Sequence, residues 1–298
     1  MNLLELLLDP LQYPFMVRGL LAALMVGVIC STLGTYVILQ GMAFLGDALA
    51  HAILPGVVLA YLLGWPLAVG ALIVGIGTAL GIGALSHKGE IREDTAIGIV
   101  FAGSFALGVA MLSTVQSYAV DLAHILFGDV LAVSSAELWL TLGLGLLVLA
   151  TVVLFYKELL VITFDPVLAA VLRLPERFLR YLLLVLIAVT IVVALQTVGI
   201  ALVLAMLVTP AATAQLLTRR LPTMMITAAI LGALANVSGL YLSYYVNIAA
   251  GPAMVLVATA IFLLVFVFAP QRGLIGRRLI AKNQTIPTSA RKYHLVQE

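Results

Sequence analysis

An aspartate and a histidine four residues apart are the side chains of this sequence best suited to bind a metal ion. Asp47 and His51 lie in an apolar stretch, residues 46–56, and on a helix they would share one face. An ionised carboxylate inside a membrane costs roughly 2.5–3.5 kcal/mol on insertion scales, so we expect it to face a bundle interior. Carboxylate oxygen and imidazole nitrogen together suit a first-row divalent ion. The structural alternative is a hydrogen bond that only joins two helices.

One such pair is an incomplete metal site, because divalent ions of this kind take about four to six ligands. Two copies of the chain around a two-fold axis would supply two carboxylates and two imidazoles, and two-fold dimers are the commonest oligomers. The pair therefore predicts a homodimer that shares one ion site. Pro55 follows one turn later and lacks an N–H, so we expect a kink there that frees the carbonyl of His51.

A second acidic residue lies close to a histidine in a hydrophilic stretch farther along the chain, residues 116–135. Asp121 and His124 are three residues apart in a short amphipathic segment, residues 121–129, which we expect to form an interfacial helix. Exposed loops often carry such residues without binding anything. The functional alternative is that this pair lies where the ion enters or where a partner docks.

The composition identifies the element type that must position these residues. The chain has 298 residues, of which 64% are hydrophobic and only 9% are charged, whereas soluble proteins have about 25% charged residues. The apolar runs are about 20 residues long, which favours helices over a transmembrane barrel. We therefore predict an all-α polytopic membrane protein with about nine transmembrane helices. The expected spans lie at about 15–40, 44–63, 66–85, 95–115, 136–156, 180–196, 199–217, 223–245 and 249–269. Eight is the alternative, because the sixth and seventh spans meet at the short stretch of residues 196–199 and one of them could be shortened or partly re-entrant.

The basic residues predict the orientation. In the nine-span arrangement, the breaks at 87–94, 157–180 and 217–222 lie on the same side as the tail from 271, and these segments carry almost all the lysines and arginines. Arg18, at the membrane edge, is the exception. The positive-inside rule places this side in the cytoplasm, with the N-terminus outside and the C-terminus inside. We expect a permease domain over residues 1–270 and a short basic cytoplasmic tail over residues 271–298.

The break at 157–180 carries a well-marked helix. Asp165 is suited to cap a helix N-terminus, and Pro166 follows at the first helical position. Pro175 is expected to stop it, so the predicted helix covers about residues 164–174. About half of its residues are apolar, which predicts that it packs against a partner on the cytoplasmic side.

Three kinds of function find no support in the sequence. There is no G-x-x-x-x-G-K-[ST] phosphate-binding loop, so this chain is not expected to hydrolyse ATP itself, and no H-E-x-x-H metalloprotease motif is present. We assign no catalytic residue. The basic clusters lack interleaved aromatic residues, so no nucleic-acid partner is expected.

Several stretches together resemble the permease subunits of ABC importers that take up manganese, zinc or iron. The resemblance covers essentially residues 15–270 and is closest to the manganese-type branch. The stretches that carry it are residues 46–56, 93–99, 121–128, 163–169, 205–214 and 247–251. Two departures are Gln40-Gly41, where the family usually has an arginine, and Ala50, where many members have a serine.

The resemblance implies a type II ABC importer-like permease in the bacterial plasma membrane. It implies a homodimer within the lipid bilayer, with cytoplasmic ATPase subunits and an extracellular or periplasmic metal-binding protein as partners. The transported ion would be Mn²⁺, alternatively Zn²⁺ or Fe²⁺, and no cofactor would be bound permanently. Asp47 and His51 would bind this ion. The ATPase would be coupled through residues of the helix near 164–174, namely Thr163, Phe164, Asp165, Pro166 and Ala169.

Two other functions remain open at this point. One is a gradient-driven secondary metal transporter, and the other is a membrane scaffold or enzyme that uses Asp47 and His51 for chemistry. The predicted cytoplasmic helix favours the importer, because a gradient-driven carrier needs no docking helix for an ATPase. Secondary carriers also tend to show inverted repeats, whereas this Asp–His pair occurs once among the spans.

Overall fold

The structure is a computed structural model that describes residues 8–86, 91–114 and 130–269. Every regular element in these ranges is a helix, and none of the described residues forms a β-strand. The helices are α1 (Pro14–Leu39), α2 (Leu45–Ala52), α3 (Leu54–Leu63), α4 (Leu67–Ser86), α5 (Glu93–Leu112), α6 (Ser135–Leu154), α7 (Tyr156–Phe164), α8 (Pro166–Val171), α9 (Glu176–Val198), α10 (Ile200–Leu217), α11 (Leu221–Val246) and α12 (Ala250–Phe268).

Nine spans are long and apolar enough to cross a membrane within these ranges, with α2 and α3 together forming the second. The all-α fold with nine transmembrane helices is therefore confirmed. The alternative of eight is not needed, because α9 and α10 both have full length and Gly199 alone joins them. Gly199 has a φ of 81°, a left-handed conformation that glycine adopts without a Cβ penalty.

The most buried spans are α1 and α9, and they connect two groups of packed helices. In one group, α1 packs against α10 and α11, and α12 packs against both of these. In the other group, α2, α3, α4 and α5 pack against one another. Because α9 contacts α1, α2, α4 and α10, it lies between the two groups and joins them.

Glycines set the distance between helices where backbones cross closely, as expected where small residues let membrane helices approach. At the crossing of α3 and α4, a Cβ on Gly56 would meet the backbone of Gly70, and a Cβ on Gly70 would meet the backbone of Gly56. At the crossing of α1 and α10, Gly34 lies against the backbone of Leu207 in the same way. The first of these crossings holds the second span, which carries the Asp–His pair, closely against α4.

The segment predicted as a cytoplasmic break, residues 157–180, is mostly helical. Following α6, α7 continues to Phe164, and α9 already begins at Glu176. The helix predicted over about 164–174 is confirmed but shorter, since α8 spans Pro166–Val171. It ends early because Arg173 takes a left-handed φ of 53° and the Leu174 N–H bonds back to the carbonyl of Ala169. Pro175 therefore precedes α9 rather than ending α8.

Candidate metal site and the helix α8

The Asp47 and His51 side chains lie together on α2, as the spacing predicts. His51 Nε2 is 3.5 Å from Asp47 Oδ1. The neighbouring residues of α2 are buried, but these two side chains are 37% and 31% exposed in the isolated chain, Asp47 the more. The pair therefore faces an opening in the single chain, where further ligands can reach it.

An aromatic wall from α5 lies beside the histidine. The ring of Phe105 is edge-on to His51 at a centroid distance of 5.8 Å, and the Phe101 ring is 6.3 Å away. These two phenylalanines stack on each other at 5.8 Å, and Phe44, just before α2, meets Phe101 edge-on. This wall limits the directions in which the imidazole can turn. The sequence pattern did not predict this wall, although Phe101 and Phe105 are also four residues apart on a helix.

The predicted kink at Pro55 is confirmed, because α2 ends at Ala52 and α3 begins at Leu54. At this kink, the carbonyl of Ala52 accepts its hydrogen bond from another helix. The Gly56 N–H bonds to Ile53 at 2.9 Å and so does not reach it, and the Ser104 hydroxyl of α5 donates to it at 2.7 Å. The break is thus held by a neighbouring helix, as polar groups in a membrane require.

An apolar cavity of about 220 Å³ adjoins the histidine on the side of α3. Besides His51 and Phe105, its walls come from aliphatic residues of α3, α5, α9 and α10, including Leu54, Val57, Leu112, Leu195 and Ile200. None of these side chains can bind a hard cation. Among the described residues, the cavity walls leave space beside the pair but add no further side-chain ligand.

Within residues 8–86, 91–114 and 130–269, no cluster of three or more histidine, cysteine, aspartate or glutamate side chains is positioned to hold a metal ion. In this part of the chain, Asp47 and His51 form a pair and nothing larger. Asp121 and His124 lie outside the described residues, as does the interfacial helix predicted over 121–129, so these remain predictions.

The helix α8 buries one of its described residues and leaves the apolar side chains around it exposed. The Asp165 carboxylate accepts a 2.9 Å hydrogen bond from the Leu168 N–H, which confirms the predicted cap before Pro166. Ala169 is fully buried. The exposed apolar side chains around α8 are Phe164, Val167, Leu168, Val171 and Leu172. Exposed apolar side chains on a short helix between two spans are typical of a surface that contacts another protein.

Comparison with known proteins identifies the family. Residues 12–269 match the ABC 3 transport family. The chain belongs to this family. It is a transmembrane permease of the ABC importer type, and ATP hydrolysis in such importers belongs to a separate subunit. The family favours the importer over the gradient-driven carrier that the sequence left open.

Individual relatives cover nearly the whole permease. The manganese transport system membrane protein MntC of Halalkalibacterium halodurans is 49% identical over 90% of this chain and 91% of its own. The chelated iron transport system membrane protein YfeD of Yersinia pestis is 40% identical over 90% of each chain. Among solved structures, PsaBC from Streptococcus pneumoniae in complex with Fab has a TM-score of 0.81 at 39% identity, covering 95% of this chain and all of its own.

Proposed function

We propose that this permease imports Mn²⁺ into the bacterial cytoplasm, driven by ATP hydrolysis in partner subunits. The observation that carries the proposal is the partly exposed Asp47–His51 pair in the second span. Residues 45–60 of this span contain no other ionisable side chain. An ionisable pair in such a place is expected to serve an ion pathway. Manganese permeases with about half of their residues identical support the choice of ion.

Each chain supplies half of a plausible coordination shell. Two copies around a two-fold axis would contribute two carboxylates and two imidazoles, a mixed oxygen and nitrogen set that Mn²⁺ accepts. The Irving–Williams order favours Zn²⁺ over Mn²⁺ at any such site, so selectivity must come from geometry and from the protein that delivers the ion. Zn²⁺ and Fe²⁺ are the competing substrates, and the iron-transport relative supports testing Fe²⁺.

The proposed orientation places the two ends of the pathway. With the basic breaks in the cytoplasm, α2 and α3 run outwards, so the apolar cavity beside His51 lies between the ion site and the outer face. A metal-binding protein would deliver the ion from outside. The ATPase would bind on the opposite side, where α8 exposes Val167 and Val171. Alternating exposure of one shared site would then move the ion inwards.

The test is ion uptake by the permease and its ATPase reconstituted in vesicles, with the binding protein supplied. The Asp47→Asn and His51→Gln variants should each lose nearly all Mn²⁺ uptake while still assembling with the ATPase. Asp94→Asn is the matched control, because Asp94 is an exposed carboxylate outside the predicted site and should leave uptake unchanged. Normal uptake by a well-assembled Asp47→Asn variant would refute the proposed site, and wild-type uptake of Zn²⁺ or Fe²⁺ in preference to Mn²⁺ would refute the proposed substrate.

A further inference from the structure

Two polar links join the ends of the cytoplasmic segment around α8 to the helices that build the Asp47–His51 site. We propose that Gln40 and Thr163 form one link, that Glu93 and Arg180 form the other, and that all four are positioning residues that transmit movement of α8 to the ion site. The inference rests on the proposed function. It adds Gln40, Glu93 and Arg180 to the coupling apparatus and gives Thr163 a specific contact.

The first link joins the end of α7 to the start of the second span. The Thr163 hydroxyl donates to the carbonyl of Leu159 at 2.7 Å and accepts a 3.2 Å hydrogen bond from Gln40 Nε2. Thr163 is the last residue but one of α7, two residues before the Asp165 cap of α8. Gln40 follows α1 and leads through Gly41, whose φ is 73°, to α2 and Asp47. A shift of α7 is thereby passed to the segment that carries the ion ligands.

The second link joins the start of α9 to the aromatic wall. The Arg180 guanidinium forms an ion pair with the Glu93 carboxylate and donates a 3.3 Å hydrogen bond to the Ser86 hydroxyl. Glu93 is the first residue of α5, and Ser86 is the last residue of α4. Because α5 carries Phe101 and Phe105, a shift of the first turns of α9 is passed to the rings beside His51.

The surroundings allow both links to move. Gln40, Thr163, Glu93 and Arg180 all line one polar cavity of about 560 Å³ at the cytoplasmic end of the bundle. In the ion pair, the side chains of Arg180 and Glu93 are 36% and 28% exposed. Solvent screens such a pair, so it contributes little to the stability of the fold and can separate and form again. These contacts are therefore better suited to transmit movement than to hold the bundle together.

The packing of α7 against both α8 and α9 places both links on helices that would move together with α8. α8 packs against α7, and α7 packs against α9, so binding of the ATPase to the exposed face of α8 acts on both. One link joins α7 to the segment between α1 and α2, and the other joins α9 to the start of α5 and the end of α4. Breaking one link should leave the ion site and the ATPase intact and separate their activities.

The experiment uses the wild-type permease with its ATPase in lipid nanodiscs and measures three quantities: Mn²⁺ binding, basal ATP hydrolysis, and the stimulation of hydrolysis by Mn²⁺ with its binding protein. Glu93→Gln removes the charge of the ion pair, and Thr163→Val removes the hydroxyl of the other link, each with little change in volume. We expect both variants to keep Mn²⁺ binding and basal ATP hydrolysis. The stimulation of hydrolysis should fall about tenfold in Glu93→Gln and severalfold in Thr163→Val. Arg177→Gln is the matched control, because Arg177 is an exposed arginine on the same turn of α9, outside both links.

Exchanging the charges of Arg180 and Glu93 distinguishes a role of this ion pair in transmitting movement from a purely structural role. Arg180→Glu alone should lose stimulation, and the double variant with Glu93→Arg should regain most of it. Full stimulation in Glu93→Gln, or a double variant no better than Arg180→Glu alone, would overturn the inference. Mn²⁺ uptake by the wild-type complex, reconstituted in sealed vesicles, is measured first. Its absence would refute the proposed function, whereas wild-type uptake together with fully stimulated single variants would refute the links alone.

Discussion

The Ser104 hydroxyl on α5 donates a 2.7 Å hydrogen bond to the carbonyl of Ala52, the last residue of α2. This carbonyl has no helical partner, because the Gly56 N–H bonds to Ile53 instead. The hydrogen bond therefore joins the broken end of α2 to the helix that carries the aromatic wall. His51 lies one residue before Ala52, so the position of its imidazole depends on this contact.

Ser104→Ala should weaken Mn²⁺ binding without preventing assembly. Leaving a buried carbonyl unpaired costs about 1 kcal/mol or more, so we expect affinity to fall by roughly fivefold as the end of α2 relaxes. Ser104→Thr keeps the hydroxyl and is the matched control. Metal titration of the two variants measures the effect, and equal affinities would show that the hydrogen bond does not position His51.

Gly56→Ala should destabilise the permease through the crossing of α3 and α4. The added Cβ would meet the backbone of Gly70, and overpacking of this kind costs about 1–3 kcal/mol. Gly77→Ala on α4 is the matched control, because a Cβ there has no neighbour within 4 Å. The control should leave the midpoint of thermal unfolding unchanged or slightly higher, and Gly56→Ala should lower it. Equal midpoints would contradict the close crossing.

Asp165→Ala should uncouple ATP hydrolysis from transport. The substitution removes the hydrogen bond to the Leu168 N–H, and loss of such a cap costs about 1 kcal/mol in a helix of only six residues. Asp165→Asn is an equally good cap and should behave as wild type. The measured quantity is the ratio of ions transported to ATP hydrolysed, with Mn²⁺ binding as the reference. If Asp165→Ala transports with the wild-type ratio, α8 is not the coupling element.

A tandem fusion of two permease chains tests the shared pathway. With His51→Ala in one half only, both halves lose a complete coordination shell, so uptake should fall almost to the level of the doubly substituted fusion. Two independent pathways would instead leave about half of the wild-type uptake. The fusion without substitution provides the reference, and comparable amounts in the membrane must be shown for each protein.

The sequence predicts the features that depend on local patterns. The spacing of Asp47 and His51, the kink at Pro55, the cap at Asp165 and the nine apolar spans all follow from residue type and helical periodicity, and the structure confirms them. The resemblance to a known family predicts, in addition, that the protein is the permease of an ABC importer. The family match confirms this type of transporter.

The contacts between distant parts of the chain were not predicted. Ser104 and Phe105 approach α2 from another helix, and no periodic pattern in the sequence indicates which faces of α2 and α5 meet. The early end of α8 depends on the left-handed turn at Arg173, a conformation that arginine rarely adopts. The ion pair of Glu93 with Arg180 likewise joins residues far apart in the chain.

The most direct test of the shared site is the number of Mn²⁺ ions bound by the purified permease–ATPase complex. Equilibrium dialysis followed by metal analysis gives this number at saturation, and Asp47→Asn and His51→Gln provide the comparison. The proposed site predicts one tightly bound Mn²⁺ for every two permease chains and loss of that ion in both variants. One ion per chain, or undiminished binding in either variant, would contradict it.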